Sequence, residues 1–418
     1  INNFLNGEIL IDRFHRNPEM KTGELLLQEK IPMKVVVAKE KENLVDIEYQ
    51  EEKRHLNLGR IYDKEDLKNT HCHILASGDY STMITNKGLG YSKKDNIFIN
   101  RWRKEELVNQ YGKFIYINNL TENKYWSTTY EPTKVEPDEY KVYFSNDKVS
   151  FYRKDGYIET RMDIVLLSEE DGEIRKVTLT NNGEEDALLE VCSYFEIVGD
   201  LLDADISHPV FNNLFIRTEE IEDSKGIIAY RRKRREDQDI VYIVHGIGNE
   251  DKDEITFEYE TNRFNFIGRG NKLSNPQGLF KELTNTTGAV LDPIMSLKRR
   301  VKVKSGESKE IYFVTGIDRT KEGAIKLFKK YNDEISFSKA FELAHTRSQA
   351  EIGYLTYKGD DLKLYDELVS SLVFFNNTNI IKYRDIIKES FKGQEGLWAY
   401  GISGDIPIVL IIIRSLEG

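Results

Sequence analysis

Ten consecutive residues, Gly396-Leu397-Trp398-Ala399-Tyr400-Gly401-Ile402-Ser403-Gly404-Asp405, combine two aromatic rings, a hydroxyl and a carboxylate on a glycine-rich turn. Flat apolar faces suit the C–H side of a pyranose and a carboxylate accepts from its hydroxyls, so the chemistry on offer is sugar binding. Trp398, Ser403 and Asp405 are the candidate contacts. A plain connection between two helices would use the same residue types, and the residues alone leave both readings open.

Other constellations are weighed in the same way. Ser77-Gly78-Asp79-Tyr80-Ser81 and Lys87-Gly88-Leu89-Gly90-Tyr91-Ser92 read as a hairpin whose glycines allow close backbone approach, with a surface at Tyr91 that roofs a neighbouring sugar site as the second reading. No Gly-Lys-Ser/Thr element opens a helix there, which excludes a phosphate loop. Trp102 and Trp126 sit among hydroxyl and charged residues; burial in a core is the favoured role and stacking on a sugar the alternative, kept for Trp126. His71 and His73 fall on one face of a strand, but no third or fourth metal ligand accompanies them, so a strand-exposed or structural pair is expected. Asp203-Ala204-Asp205 is too tightly spaced for the two carboxylates of an inverting glycosidase, which stand about 6.5–9.5 Å apart. It reads as a polar loop. Arg231-Arg232-Lys233-Arg234-Arg235 is followed by Glu236, Asp237 and Asp239 without interleaved aromatics, the pattern of a solvated turn rather than a nucleic-acid patch.

The elements that must position these groups are mostly strands. Aromatics reach 11%, and the 23 Tyr and 20 Phe favour sheets over helical bundles. A balance of 71 acidic against 60 basic residues gives a net charge of −11, which argues against nucleic acid and anionic lipid as partners. Cys72 and Cys192 are too few for a disulfide framework and read as buried thiols in a reducing, cytoplasmic setting. No apolar run approaches a membrane span.

Along the chain, residues 1–70 read as a helical lead-in (Leu25, Leu26, Leu27 and Ile31 after Thr22) and a charged linker. Residues 71–318 alternate short strands with turn signals, among them Asn146-Asp147, Asp155-Gly156 and Asn181-Asn182-Gly183 in hairpin-turn positions and Lys304-Ser305-Gly306-Glu307 as another turn. Nearly 250 residues of this pattern predict one large antiparallel sandwich. After Asp318 the period becomes helical: Ala324, Leu327, Phe328 and Tyr331 form one stripe, and Ala340, Leu343, Ala344, Arg347 and Ile352 another, giving a helical linker over 319–360. Leu364, Leu368, Leu372 and Phe375 open a third helical stretch, assigned with 361–418 to the start of a further helical domain. A start without Met and an end thirteen residues past Asp405 lead to the expectation of a piece of something longer, with Ile406–Ile413 packing against a part that is not there.

Several segments together resemble a known family. Gly396 to Leu410, His73-Ile74-Leu75-Ala76-Ser77-Gly78-Asp79-Tyr80, Gly90-Tyr91-Ser92, Trp126-Ser127, Thr180-Asn181-Asn182-Gly183, His208-Pro209-Val210-Phe211-Asn212-Asn213-Leu214-Phe215 and Phe266-Ile267-Gly268-Arg269-Gly270 are similar to the glycoside phosphorylases that include the cellobiose and chitobiose enzymes (glycoside hydrolase family 94, formerly glycosyltransferase family 36), in particular the 1,2-β-oligoglucan phosphorylases and the phosphorylase-like region of cyclic β-1,2-glucan synthases. The resemblance implies a mainly β fold with helical ends: a galactose mutarotase-like β-supersandwich, a helical linker and the start of an (α/α)6 barrel. It implies β-glucan oligosaccharide and inorganic phosphate as partners, no other cofactor, inversion at the anomeric carbon, and a general acid beyond residue 418. It also implies donor-sugar contacts at Asp405, Trp398 and Ser403. Where cellobiose-type members carry an Arg, this chain has Ile402-Ser403-Gly404, which points away from cellobiose. A parent synthase would be membrane-anchored, and a homodimer is left open. The rival reading is a carbohydrate-binding or dimerising module without chemistry of its own.

Overall fold

In the computed structural model, residues 59–103, 110–222, 224–233, 240–248, 256–331, 333–355, 359–373, 393–405 and 408 are described. His55–Asn376 form one compact unit, and the described residues from 393 onward belong to a second. The helical lead-in read over the first residues and nearly all of Ile406–Ile413 lie outside the described residues.

Among the described residues the first unit is built on eighteen strands. In chain order β1 (Arg60–Asp63), β2 (Cys72–Ser77), β3 (Tyr80–Thr85), β4 (Gly90–Lys94), β5 (Ile97–Asn100), β6 (Phe114–Asn119), β7 (Lys124–Ser127), β8 (Glu139–Phe144) and β9 (Val149–Asp155) come first. Then follow β10 (Ile158–Leu166), β11 (Gly172–Asn181), β12 (Ala187–Leu201), β13 (Ile216–Glu220), β14 (Gly226–Arg231), β15 (Tyr242–Gly248), β16 (Thr256–Asn262), β17 (Pro293–Val303) and β18 (Ser308–Asp318). Two antiparallel nine-stranded sheets result. One runs β1-β8-β9-β10-β11-β18-β15-β14-β13; the other runs β16-β17-β12-β5-β4-β3-β2, with β6 and β7 added beside β12. The predicted supersandwich is the observed fold.

Turn chemistry marks the hairpins correctly at two corners and not at a third. Asn146-Asp147 closes the β8–β9 hairpin and Asp155-Gly156 the β9–β10 hairpin. Asn181-Asn182-Gly183 is instead a crossover, and the expected turn at Lys304–Glu307 is one too, because β11 and β18 lie in one sheet and β12 and β17 in the other. The two crossovers tie to each other: Asn181 N–H donates to Glu307 O at 3.0 Å, Gly306 N–H to Asn181 O at 2.8 Å, and Ser305 Oγ to Gly183 O at 2.7 Å. A second difference lies at the start. β1 pairs with β8, so the sheet begins at Arg60, inside the stretch read as charged linker. Arg60 is buried because its guanidinium donates to Cys72 O at 3.0 Å and meets His73 Nδ1 at 3.1 Å.

Side chains alternate between two environments along β12. Leu189, Val191, Phe195 and Ile197 enter the core between the sheets; Cys192 and Tyr194 face the opposite side, against Phe266, Leu279 and Leu283. The other sheet is backed by two helices, α4 (Lys321–Lys330) and α5 (Glu334–Leu355), numbered after three short helices introduced below. Phe328 of α4 and Phe337 of α5 lie so close to β15 that a Cβ on Gly246 or Gly248 would come within 2.3 Å or 2.2 Å of their rings. Tyr312 stacks on Phe337 at 3.9 Å. The next helix, α6 (Gly359–Val373), was assigned by sequence to a following domain; it is part of the sandwich unit, and its Ser370 Oγ accepts from Cys72 N–H at 3.0 Å.

Within the apolar core sits a charged knot that joins the sheets. Glu173 of β11 is fully buried, with Lys113 Nζ at 2.7 Å and Arg175 Nε at 2.8 Å. Ser92 Oγ and Tyr80 OH, from the opposite sheet, donate to its Oε2 at 2.6 Å and 3.1 Å. Burial alone would raise the Glu173 pKa; Lys113 and Arg175 win and hold it well below the carboxylate range. Beside the knot, His245 of β15 bonds Ser193 Oγ of β12 and Thr315 Oγ1 of β18, both at 2.9 Å. Burial, with Lys113 and Arg175 nearby, pushes its pKa down to about 3. His73 is pushed down to about 4 by burial and by Arg60, and it stacks on Phe144, so it is a core residue and not a strand-exposed one.

Two outcomes follow. Replacing one member of a buried ion pair strands its partner, so Glu173→Leu should lower unfolding free energy by about 3–5 kcal/mol in urea titrations, more than an exposed ion-pair loss such as Lys302→Ala. Because His73 and His245 are neutral when folded but take protons near pH 6.5 when unfolded, their stability is complete above 6.5 and lost as pH falls toward 3–4. The urea midpoint should drop across that window, and His245→Gln should flatten the drop.

Candidate functional site

The Trp398 segment is a turn of helix, α7 (Glu395–Trp398), running into a loop. Gly401 and Gly404 both have φ of 75°, a left-handed conformation that explains glycine at each. Gln394 organises the loop: its Nε2 donates to Ser403 O at 2.6 Å and to Asp405 Oδ1 at 2.8 Å. Trp398 Nε1 donates to the same carbonyl at 3.3 Å, while the ring remains 63% exposed. The structure therefore brings Trp398, Ser403 and Asp405 together. An exposed ring lies beside a carboxylate whose Oδ2 accepts no hydrogen bond from the described residues.

Tyr91 and Trp126 are not part of that loop; both belong to the sandwich unit. Trp126 is 2% exposed, in the core, and its Nε1 donates to Thr160 Oγ1 at 3.3 Å, so no ring face is left for a sugar. Tyr91 is half-buried, with its ring 4.9 Å from Phe98 and 5.6 Å from Trp102. These contacts are packing.

A second arrangement is built from residues far apart in the sequence. On the outer face of β12, Glu196 is clamped by Arg101 Nη1 at 2.8 Å and Arg263 Nε at 2.8 Å, and accepts from Tyr194 OH at 3.1 Å. Asp205 belongs to α1 (Leu202–Ser207) and is fully buried, paired with Arg101 at 3.0 Å and Arg103 at 2.6 Å. It is not in the polar loop expected of Asp203-Ala204-Asp205. Asn213, ending α2 (Pro209–Asn213), accepts from Arg101 Nη2 and donates to Asp292 Oδ1, each at 2.8 Å. Arg101 and Arg263 are held protonated more firmly than usual by these carboxylates, against the opposing effect of burial. Of the basic run, Arg231 is likewise paired, with Asp200 at 2.7 Å, and residues 234–239 lie outside the described residues. The one available signal was a lone Glu196 within the otherwise apolar Phe195–Val198.

Among the described residues no group of three or more His, Cys, Asp or Glu is disposed to hold a metal ion. Cys72 and Cys192 are buried thiols that form no disulfide, and burial pushes Cys192 up to about 12. No described helix is long and apolar enough to cross a membrane.

Two nine-stranded antiparallel sheets enclosing one core, with helices laid on an outer face, define a β-supersandwich protein. The chain belongs to the glycosyl hydrolase 94 family, whose supersandwich-domain model matches residues 58–334. It is 29% identical over 412 residues to the cyclic β-(1,2)-glucan synthase NdvB of Rhizobium meliloti (strain 1021), a match that covers 98% of this chain and 14% of that protein. Among solved structures, a bacterial glucoamylase complexed with acarbose aligns with a TM-score of 0.46 at 9% identity, over 77% of this chain and 45% of its own. A galactose mutarotase-like protein of Clostridium acetobutylicum aligns with a TM-score of 0.32 at 9% identity, over 62% and 99%.

The two tryptophans should separate cleanly. Trp126→Ala should cost about 3–5 kcal/mol of stability by leaving a core cavity, whereas Trp398→Ala should stay within about 0.5 kcal/mol, both read from denaturant midpoints.

Proposed function

We propose that this chain is the supersandwich-bearing part of an inverting β-glucan phosphorylase, or of the phosphorylase-like region of a cyclic β-1,2-glucan synthase. β-1,2-Glucooligosaccharide is its glycan and inorganic phosphate its co-substrate. The observation that carries the reading is the family match over 58–334 joined to an alignment of 98% of this chain with 14% of a cyclic glucan synthase.

In the proposed reaction a phosphate oxygen attacks the anomeric carbon as the glycosidic C–O bond breaks. A carboxylic acid outside the described residues gives its proton to the leaving oxygen, and the products are α-glucose 1-phosphate and a shortened glucan. The loop at Trp398 supplies ground contacts to the donor sugar. Trp398 offers its exposed face to the ring C–H groups, and Asp405, oriented through Oδ1 by Gln394, accepts a hydroxyl through Oδ2. Ser403 contributes its hydroxyl at the same turn. The sandwich itself performs no bond chemistry, and the 418-residue chain alone is inactive.

The test is anomer-resolved. The full gene product carrying this chain should release α-glucose 1-phosphate from β-1,2-glucooligosaccharide and phosphate, and the 418-residue chain should release none. Failure of the full product overturns the phosphorylase reading; release by the shorter chain overturns its inactivity. Asp405→Asn in the full product should lower kcat/KM by about tenfold or more, as loss of one charge-assisted sugar contact.

A further inference from the structure

A cavity of about 640 Å3 opens on the outer face of the sheet that contains β12, and none of the roles above uses it. Its base is the Glu196 carboxylate in its arginine clamp. One wall is Tyr111 with Gln110. The other is α3 (Arg263–Ile267) and the loop that follows it, where Phe264, Asn271 and Ser274 line the opening and Asp292 closes the side.

The wall is built, not incidental. Asn262 caps α3 by accepting from Phe264 N–H at 3.0 Å, which turns the Phe264 ring outward to 65% exposure. Gly268 and Gly270 take φ of 82° and 80°, conformations that bend the loop back over the cavity. Tyr116 OH donates to Leu273 O at 2.9 Å and anchors the loop to the sheet. Phe266 and Ile267 are buried beneath it.

The chemistry of the lining selects among ligand classes. The charges at the base neutralise one another: Glu196 holds Arg101 and Arg263, and Asp292 takes Arg263 N–H through its backbone carbonyl at 2.9 Å and Asn213 through its side chain. A buried ion would have to break these pairs, at a cost that a neutral guest avoids. What remains is a polar hollow with amide, hydroxyl, carboxylate and ammonium groups, the last from Lys134, itself paired with Glu131 at 3.4 Å, and from the exposed Lys272, with two aromatic rings at its mouth. That combination meets a neutral polyhydroxylated ring, with apolar C–H faces against Phe264 and Tyr111 and hydroxyls toward Asn271, Ser274 and the acceptor oxygens.

We propose that this cavity is an accessory binding site for a neutral β-glucan segment on the supersandwich, formed by residues other than those of the Trp398 loop. The proposal rests on the carbohydrate reading given above but not on its phosphorolysis. It gives the sandwich a task of its own: binding the glycan.

The test uses the whole 418-residue chain and calorimetric titration with β-1,2-glucooligosaccharides, with inorganic phosphate as the competing arm. Phe264→Ala and Asn271→Ala are the variants, since both residues lie at the surface and thermal denaturation will report that they fold. Each should weaken glucan affinity about tenfold with an unchanged Tm, and saturating phosphate should leave affinity unaltered. Glucan binding equal to wild type in both variants, no glucan binding by the wild-type chain, or displacement of glucan by phosphate would each overturn the proposal. Because the readout is binding, these outcomes are independent of whether the full gene product makes glucose 1-phosphate. Binding lost in Trp398→Ala but kept in Phe264→Ala would sink the accessory site and leave the donor loop standing.

Discussion

Everything in the sandwich unit is arranged around a carboxylate that ought not to be there. Glu173 lies at zero exposure between two sheets of mostly aliphatic and aromatic side chains, and taking such a charge out of water costs several kcal/mol before any partner is counted. One partner, Arg175, shares its strand, and the others come from elsewhere: Tyr80 and Ser92 from across the core, Lys113 from the lead into β6. Apolar faces tolerate sliding, since their attraction has no direction; a carboxylate with four partners at 2.6–3.1 Å does not. The knot thus acts on register more than on adhesion. It ties β3 and β4 to β11, and the Ser193–His245–Thr315 chain ties β12 to β15 and β18 in the same way.

Fixed register matters because β12 serves both faces of its sheet. Its inward residues meet the core, while the outward ones carry Glu196 and, through Arg101 and Arg263, set the positions of β5's end, of α1 and of the start of α3. A rigid strand on one side therefore becomes a rigid cavity base on the other. Carbohydrate recognition asks for this, since weak contacts to hydroxyls count only when the groups making them are already in place.

Strand positions and the overall sandwich were legible because alternation and turn residues are local signals, as at Asn146-Asp147 and Asp155-Gly156. Sheet membership was not. Asn181-Asn182-Gly183 has hairpin chemistry, yet the chain leaves the sheet there, and only the pairing of β11 with β18 shows it. Charge misled in the same manner: Arg60 and Asp205 look solvated in a window of neighbours and are buried because their partners, Cys72 O with His73 and Arg101 with Arg103, arrive from elsewhere. The Trp398 loop was readable because its rings, glycines and carboxylate are contiguous. The cavity was not, because Glu196, Tyr111, Phe264 and Asp292 meet only in the folded chain.

A glucan-handling scaffold is the central claim, and a crystal structure of the 418-residue chain grown with a β-1,2-glucooligosaccharide tests it most directly. The account predicts glucosyl density in the cavity with a pyranose face against Phe264 and hydroxyls toward Asn271 and Ser274. A cavity filled only by solvent at saturating glycan, or by a phosphate breaking the Glu196–arginine clamp, would contradict it.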